Sequence, residues 1–253
     1  MVAMSDPSFE VVSSVDLPAG GPLLVGIADV GVAGLTAADY LVAQSDATEV
    51  GYVRTRGIPD ITPFSDGVPR HPIRVYRLPN DGLTVLLSEV FVPPGVTDSL
   101  ADTLSEWIDR RGFEDVTVLF GAPFPHSEGE HTVFRVATDG FDARRGDAIA
   151  PLAGGYFDGL VGELMTRSLV DELPPTGVLV TPTHLPGPDI DAALRLLDGV
   201  ERLHDITVDE AELEERAAEM NEYYADLAQR VQALRNADQP FAPEEYPDDR
   251  MFM

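Results

Sequence analysis

The chain has 253 residues, 44 acids against 17 basic side chains, a formal charge of −27 and no cysteine. Disulfides and thiolate chemistry are therefore excluded, and no basic stripe exists to neutralise the phosphates of nucleic acid. No apolar run is long enough to span a membrane and no basic-flanked apolar leader opens the sequence, so a cytoplasmic protein with no membrane contact is expected.

Every basic residue is arginine, and the acids are spread through the whole chain. Dispersed acid without lysine suggests solubility in a very salty cytoplasm, where short-range screening suppresses self-repulsion; a halophilic source is expected.

In chain order, Pro22 to Ala28 reads as a short buried strand. The turn Asp29-Val30-Gly31-Val32-Ala33-Gly34 then opens a helix running to about Gln44. Thr48 to Thr55 and Ile73 to Leu78 read as strands separated by a Pro- and Gly-rich excursion, and Asp81-Gly82 leads into the apolar strand Leu83 to Ser88. Pro93-Pro94-Gly95 ends that strand, and Thr97 or Asp98 can cap a helix carrying Leu100, Leu104, Trp107 and Ile108 until Gly112 stops it. Val116 to Gly121 is a further buried strand, and Thr132 to Ala137 a short one. Gly154 to Leu164 leads into a helix ending near Asp171, Gly177 to Thr181 is a late strand, and a last body helix starts near Pro188-Asp189 and runs through Leu203. Strands alternating with helices at these lengths predict an α/β fold with a mostly parallel central sheet and helices on both faces.

From Val208 to Asn236 the pattern changes. Leu213, Ala217, Met220, Tyr224, Leu227, Val231 and Leu234 recur at alternating spacings of four and three, a heptad seam. Such a helix either lies on its own domain or pairs with another helix, within the chain or from a neighbouring subunit. The expected organisation is an α/β body over 1–205, this helix over 206–237, and an acidic tail over 238–253. Met251-Phe252-Met253 closes the tail as an apolar-aromatic plug with a carboxylate, a shape suited to a partner's pocket.

Chemistry is harder to assemble. Gly26, Gly31 and Gly34 sit where a dinucleotide-binding protein places its phosphate loop, but the G-x-G-x-x-G spacing is absent and Asp29 opposes a phosphate. Tight strand–helix packing is the expected use of these glycines. His126-Ser127-Glu128-Gly129-Glu130-His131 matches no metal-ligand spacing, and neither metal nor cofactor is expected. A candidate pocket is formed by Asp29, Gly31, Gly34, Gly154, Gly155, Asp158 and Glu163, with His184 as a candidate base, but no nucleophile motif accompanies them and no catalytic residue is assigned.

The run Pro22 to Tyr40, the Gly-rich stretch Gly154 to Leu164, and Thr176 to Thr183 followed by Pro188 to Ala193 resemble, in order, segments of the PAC2 family, the proteasome assembly chaperone group. The resemblance covers about residues 9 to 203. It implies a three-layer α/β/α body related in fold to nucleoside phosphorylases, without an established catalytic site. It also implies homo-oligomers and, in some archaeal relatives, a proteasome-binding tail ending hydrophobic, Tyr, any residue. Met251 and Met253 fit that ending, while Phe252 keeps the ring and lacks the hydroxyl, at a cost of about 0.5–1.5 kcal/mol. The expected function is a non-enzymatic, ATP-independent assembly chaperone or proteasome adaptor whose partner is the proteasome α-subunit ring. The alternative is a nucleoside- or nucleotide-handling enzyme built on the same body.

Overall fold

The computed structural model describes residues 8–13, 18–56, 61–124, 131–184 and 188–220. Four parallel strands form the centre of one eight-stranded sheet: β2 (Pro22–Ile27), β7 (Leu83–Ser88), β8 (Asp115–Ala122) and β10 (Thr176–Pro182). They pair in the order β7-β2-β8-β10, with Val25 opposite Leu86 on one side and Val118 on the other, and Val118 opposite Val178. Their sequences are apolar runs, not alternating patterns, because helices cover both faces.

Antiparallel strands extend this block at each side. β6 (Ile73–Leu78) folds back on β7 through the turn at Gly82, and β3 (Thr48–Arg56) and β1 (Ser8–Ser13) follow outward. On the other side β9 (Phe134–Ala137) pairs antiparallel with β10. The sheet order is β1-β3-β6-β7-β2-β8-β10-β9, and a separate two-stranded hairpin, β4 (Phe64–Ser65) with β5 (Val68–Pro69), lies between β3 and β6.

The pleat divides the core in two. Leu23 and Val25 face α2 (Thr97–Arg111) and α4 (Gly159–Leu169), meeting Leu104, Trp107 and Leu164. Leu24 faces the other way, toward α1 (Ala33–Gln44) and α5 (Ile190–His204), meeting Ala38, Leu41, Leu196 and Val200. This is the three-layer α/β/α body expected from the sequence. Neither β1 nor α3 (Asp139–Arg145) is foreseen from the sequence; α3 carries Phe141 into the α1–α5 side of the core. A further helix, α6, occupies residues 211–220; Leu213 and Ala217 are buried and Met220 is half-buried. Tyr224, Leu227, Val231, Leu234 and the Met251-Phe252-Met253 plug lie outside the described residues.

α1 crosses the sheet at backbone contact. A Cβ on Gly34 would stand 2.3 Å from the Leu119 carbonyl oxygen, and one on Gly26 2.3 Å from the Ala38 Cβ. Neither partner is a flexible side-chain end, so a larger residue moves the helix. Gly34→Ala is expected to destabilise the fold by about 1–3 kcal/mol, read by denaturant unfolding in molar salt.

One polar inclusion interrupts the α1–α5 side. Asp115 is fully buried and takes a two-pronged bond from Arg145, at 3.0 Å from Nε and 2.9 Å from Nη2. His204 Nε2 meets Thr117 Oγ1 at 3.1 Å, while its Nδ1 is shut from water without a partner, although the residue's outer edge is half exposed. Burial and the nearby Arg145 charge push the imidazole down to about 3 from its ordinary 6.5. The unfolded chain takes up this proton near pH 6.5 and the folded chain does not, so stability falls as pH drops below 6.5 toward 3. His204→Gln is expected to reduce the loss of melting temperature between pH 7 and 5, measured against the parent chain.

Candidate functional site

The carboxyl ends of the parallel strands carry the residues that the sequence singles out. β2 leaves the sheet at Ala28, whose N–H donates to the Ser88 carbonyl at 2.8 Å. Asp29 then forms a tight turn: its Oδ1 accepts from Val30 N–H at 2.7 Å and its carbonyl accepts from Val32 N–H at 2.8 Å. Gly31 (φ 76°) and Val32 (φ 45°) are both left-handed, an ordinary state for glycine and a strained one for a β-branched residue. Val32 is held there because its carbonyl receives the Thr36 N–H at 2.9 Å and begins α1.

This turn is clamped by the segment after β10. Asp189 N–H donates to the Gly31 carbonyl at 3.0 Å, and Thr183 packs against Gly31 and Gly121. A Cβ on Gly121 would stand 2.4 Å from Thr183 Cγ2. Thr183 is 4 % exposed and its Oγ1 has no hydrogen-bond partner. Asp189 caps α5 by accepting from Ala192 N–H at 2.8 Å, and its other oxygen meets His184 at both the backbone N–H (2.7 Å) and Nδ1 (3.0 Å). The His184 ring lies edge-on to His131, 5.1 Å between centroids. Arg195 reaches back from α5 to Thr181 Oγ1 and the Pro182 carbonyl, both at 2.8 Å. Burial lowers its guanidinium pKa, against the pull of Asp189 and Asp191.

The fold brings together part of the expected pocket. Asp29, Gly31 and Gly34 share one turn, and Asp158, at the N-cap of α4, approaches closely enough for its charge to act on Asp29. Burial raises the Asp29 carboxyl pKa, the Val30 N–H bond opposes the rise, and Asp158 adds to it. Gly154 and Gly155 lie on the exposed approach to α4 with open space around them. Glu163 turns instead toward Arg167, 3.8 Å away, in an ion-pair group with Asp98, Asp102 and Glu172.

None of the hydrogen bonds of Asp29, Thr183 or Asp189 joins a nucleophile to a base. Among the described residues no group of three or more His, Asp or Glu gathers as a metal site; His126 to Glu130 lies outside them. Nor is any described helix long and apolar enough to cross a membrane.

A second concavity lies between α1 and α6, a groove of about 290 Å³ walled by Leu35, Tyr40, Leu213, Arg70 and Arg216. Tyr40 Oη donates to the Asp209 carbonyl at 2.7 Å and fixes the start of α6 on α1. Arg74, with no exposed surface, anchors the base of this side through Glu89 at 2.6 Å, the His71 carbonyl at 2.7 Å and Tyr76 Oη at 2.8 Å. Sequence reasoning missed Arg74, Glu89, Thr183 and Asp189 as site-forming residues; Thr183 and Asp189 lie in the segments that resemble the PAC2 family but carried no assigned role, and no motif marks Arg74 or Glu89. Because Asp158 contributes to the raised pKa of Asp29, Asp158→Asn is expected to bring that carboxyl down toward its ordinary value. A carboxyl-detected NMR titration reads the shift, and an unmoved Asp29 would separate the two acids.

The fold has known counterparts. Pyrococcus furiosus PbaA, an archaeal homolog of proteasome-assembly chaperone, superposes with a TM-score of 0.76 at 20% identity, over 90% of this chain and 95% of its own. Pyrococcus furiosus PbaB, an archaeal proteasome activator, gives 0.75 at 17% identity over 87% and 99%. A Thermoplasma acidophilum protein of unknown function gives 0.69 at 24% identity over 90% and 92%. No curated protein matches the sequence. The PAC2 family profile matches residues 23–228, spanning every central strand and both helical layers of the body, and the chain belongs to the PAC2 family.

Proposed function

We propose that this protein is a non-enzymatic, ATP-independent proteasome assembly chaperone or proteasome-binding adaptor, acting as a cytoplasmic homo-oligomer in a salt-rich cell. The observation that carries the proposal is the likeness of nearly the whole body to two archaeal proteins named for proteasome assembly and proteasome activation. The carboxyl-end turn agrees with it: Gly31 and Gly121 pack closely against Thr183, and the hydrogen bonds of Asp29 and Asp189 join no nucleophile to a base.

The partner contact in this proposal is Met251-Phe252-Met253 entering a pocket of the proteasome α-subunit ring. Phe252 anchors, Met251 flanks it, and Met253 supplies the carboxylate. Several copies on one oligomer would raise avidity by about 10²- to 10⁴-fold over a single plug. The seam from Tyr224 to Leu234 braces subunits or pairs within one, continuing the stripe that Leu213 and Ala217 begin. Among the described residues Asp29, half-buried and with its carboxyl pKa raised by burial, favours a nucleoside- or nucleotide-handling enzyme. There it would serve as an acid beside the other candidates Asp158, Glu163 and His184.

Binding of the purified protein to α-subunit rings in molar salt tests the proposal. Removing Met251-Phe252-Met253 is expected to abolish binding and leave the unfolding transition unchanged. Equal binding by the shortened chain would sink the tail contact; nucleoside turnover lost in Asp29→Asn would support the enzyme instead.

A further inference from the structure

The large apolar side chains exposed among the described residues are not scattered. All except Leu169 and Val170 lie at the carboxyl end of the sheet. Val30 follows β2 and Phe91 follows β7, just beyond the paired Ile27 and Ser88. Ile61, Phe64 and Val68 belong to the β3–β6 connection, which rejoins the sheet at the same end because Ile73 pairs with Ser88. That connection is tied to the residues before Phe91: Glu89 N–H donates to the Pro72 carbonyl at 2.8 Å, and Arg70 pairs with Glu89 at 3.1 Å. Tyr156 precedes Phe157, whose ring lies edge-on to Phe120 near the end of β8 with 5.6 Å between centroids. Exposures of 74 % for Phe64 and 90 % for Tyr156 leave these rings almost wholly in water. Single exposed apolar residues are ordinary on a protein surface, whereas a gathered rim marks a contact.

Acids are interleaved with this rim. Asp29, Asp66 and Asp158 sit among the apolar residues, and no ion pair within the described residues joins any of them to a cation. Elsewhere on the body arginines are shared among acids, as Arg167 is among Asp98, Asp102, Glu163 and Glu172. We propose that the carboxyl-end rim is a docking surface for a partner protein that presents arginine or lysine among apolar residues.

Charge complementarity selects that occupant. A second copy would bring the same unpaired acids to the contact, on a chain of formal charge −27. Salt screens their repulsion at a distance but does not repay the desolvation of carboxylates buried without a partner. Basic side chains arriving among Asp29, Asp66 and Asp158 give these acids partners, and the exposed Phe64 and Tyr156 rings offer them aromatic faces. Phe64, Val68 and Phe91 then supply the apolar area. This surface is separate from the tail contact proposed above and does not depend on it.

A fluorescent synthetic peptide alternating arginine with leucine, titrated against the full chain in molar potassium chloride and followed by anisotropy, tests the surface. The arginine peptide is expected to bind and a glutamate–leucine counterpart not to bind. Phe64→Ser with Tyr156→Ser, and separately Asp29→Asn with Asp158→Asn, should each weaken binding by about five-fold or more. Asp109→Asn with Asp198→Asn, equal in charge and away from the rim, should leave it unchanged, with circular dichroism confirming the fold of every variant. Loss of Met251-Phe252-Met253 should also leave peptide binding intact, so failure of the tail contact and failure of the rim are read apart. Equal weakening by the control pair would reduce the effect to general charge. An assembly in sedimentation that the rim substitutions dissolve would assign the surface to a second copy and overturn the proposal.

Discussion

The contact between α1 and the sheet constrains the rest of the body. Gly34 lies on the Leu119 carbonyl and Gly26 leaves room for Ala38, so helix and strands approach closer than any side chain permits. At that spacing the chain cannot drift gradually from β2 into α1. It has to turn sharply, and it does so through two successive left-handed residues, Gly31 and Val32. The turn projects Asp29 and Val30 beyond the carboxyl end of the sheet. It also presents the Gly31 carbonyl to the start of α5, so that a packing requirement in the core sets the geometry of the surface.

Electrostatics follows a rule of scarcity. With 17 basic residues for 44 acids, several arginines serve more than one acid, as Arg74, Arg144 and Arg167 do. Arg74 is the most deeply buried case: burial alone would lower its pKa, and Glu89 and Tyr76 more than offset that. Asp115 answers from the opposite side of the sheet order, with burial raising its carboxyl pKa and Arg145 holding it down. Buried pairs of this kind contribute little net stability against an apolar replacement, but removal of either member leaves an uncompensated charge. Their consequence is positional. Arg74 ties the end of β7 to the start of β6, and Arg145 ties α3 to β8.

Much of the body was legible because its central strands are apolar on both faces. Leu83 to Ser88 is read to the residue, and the strands around Val116 and Gly177 to within one or two. β1 was not legible, since Ser-Phe-Glu-Val-Val-Ser sits at the sheet edge with a half-buried, irregular pattern. α3 is too short to show a helical period. The site was legible only where chain neighbours make it. Asp29, Gly31 and Gly34 share a turn, whereas Asp158 joins them through topology. Glu163 stands five residues past Asp158, about 140° around the helix, and therefore faces Arg167. The heptad stripe could not distinguish an intramolecular from an intermolecular partner, because both demand the same apolar face; its first two residues, Leu213 and Ala217, are buried on this chain's own body.

The strained Val32 illustrates why an unusual backbone at a strand-to-helix turn need not signify catalysis. A left-handed β-branched residue costs on the order of 1–3 kcal/mol and persists only where its surroundings over-determine it. Here the surroundings are visible: Asp29 and Thr36 bond on either side, Asp189 holds Gly31, and Thr183 fills the space against Gly121. No hydrogen bond from the turn reaches a nucleophile. What it gains is placement: the short turn holds Asp29 and Val30 directly beyond the end of β2. In an enzyme, strain of this size aligns reacting atoms; in this PAC2 body it fixes an acid and an apolar side chain at the end of a rigid sheet, an arrangement suited to recognition.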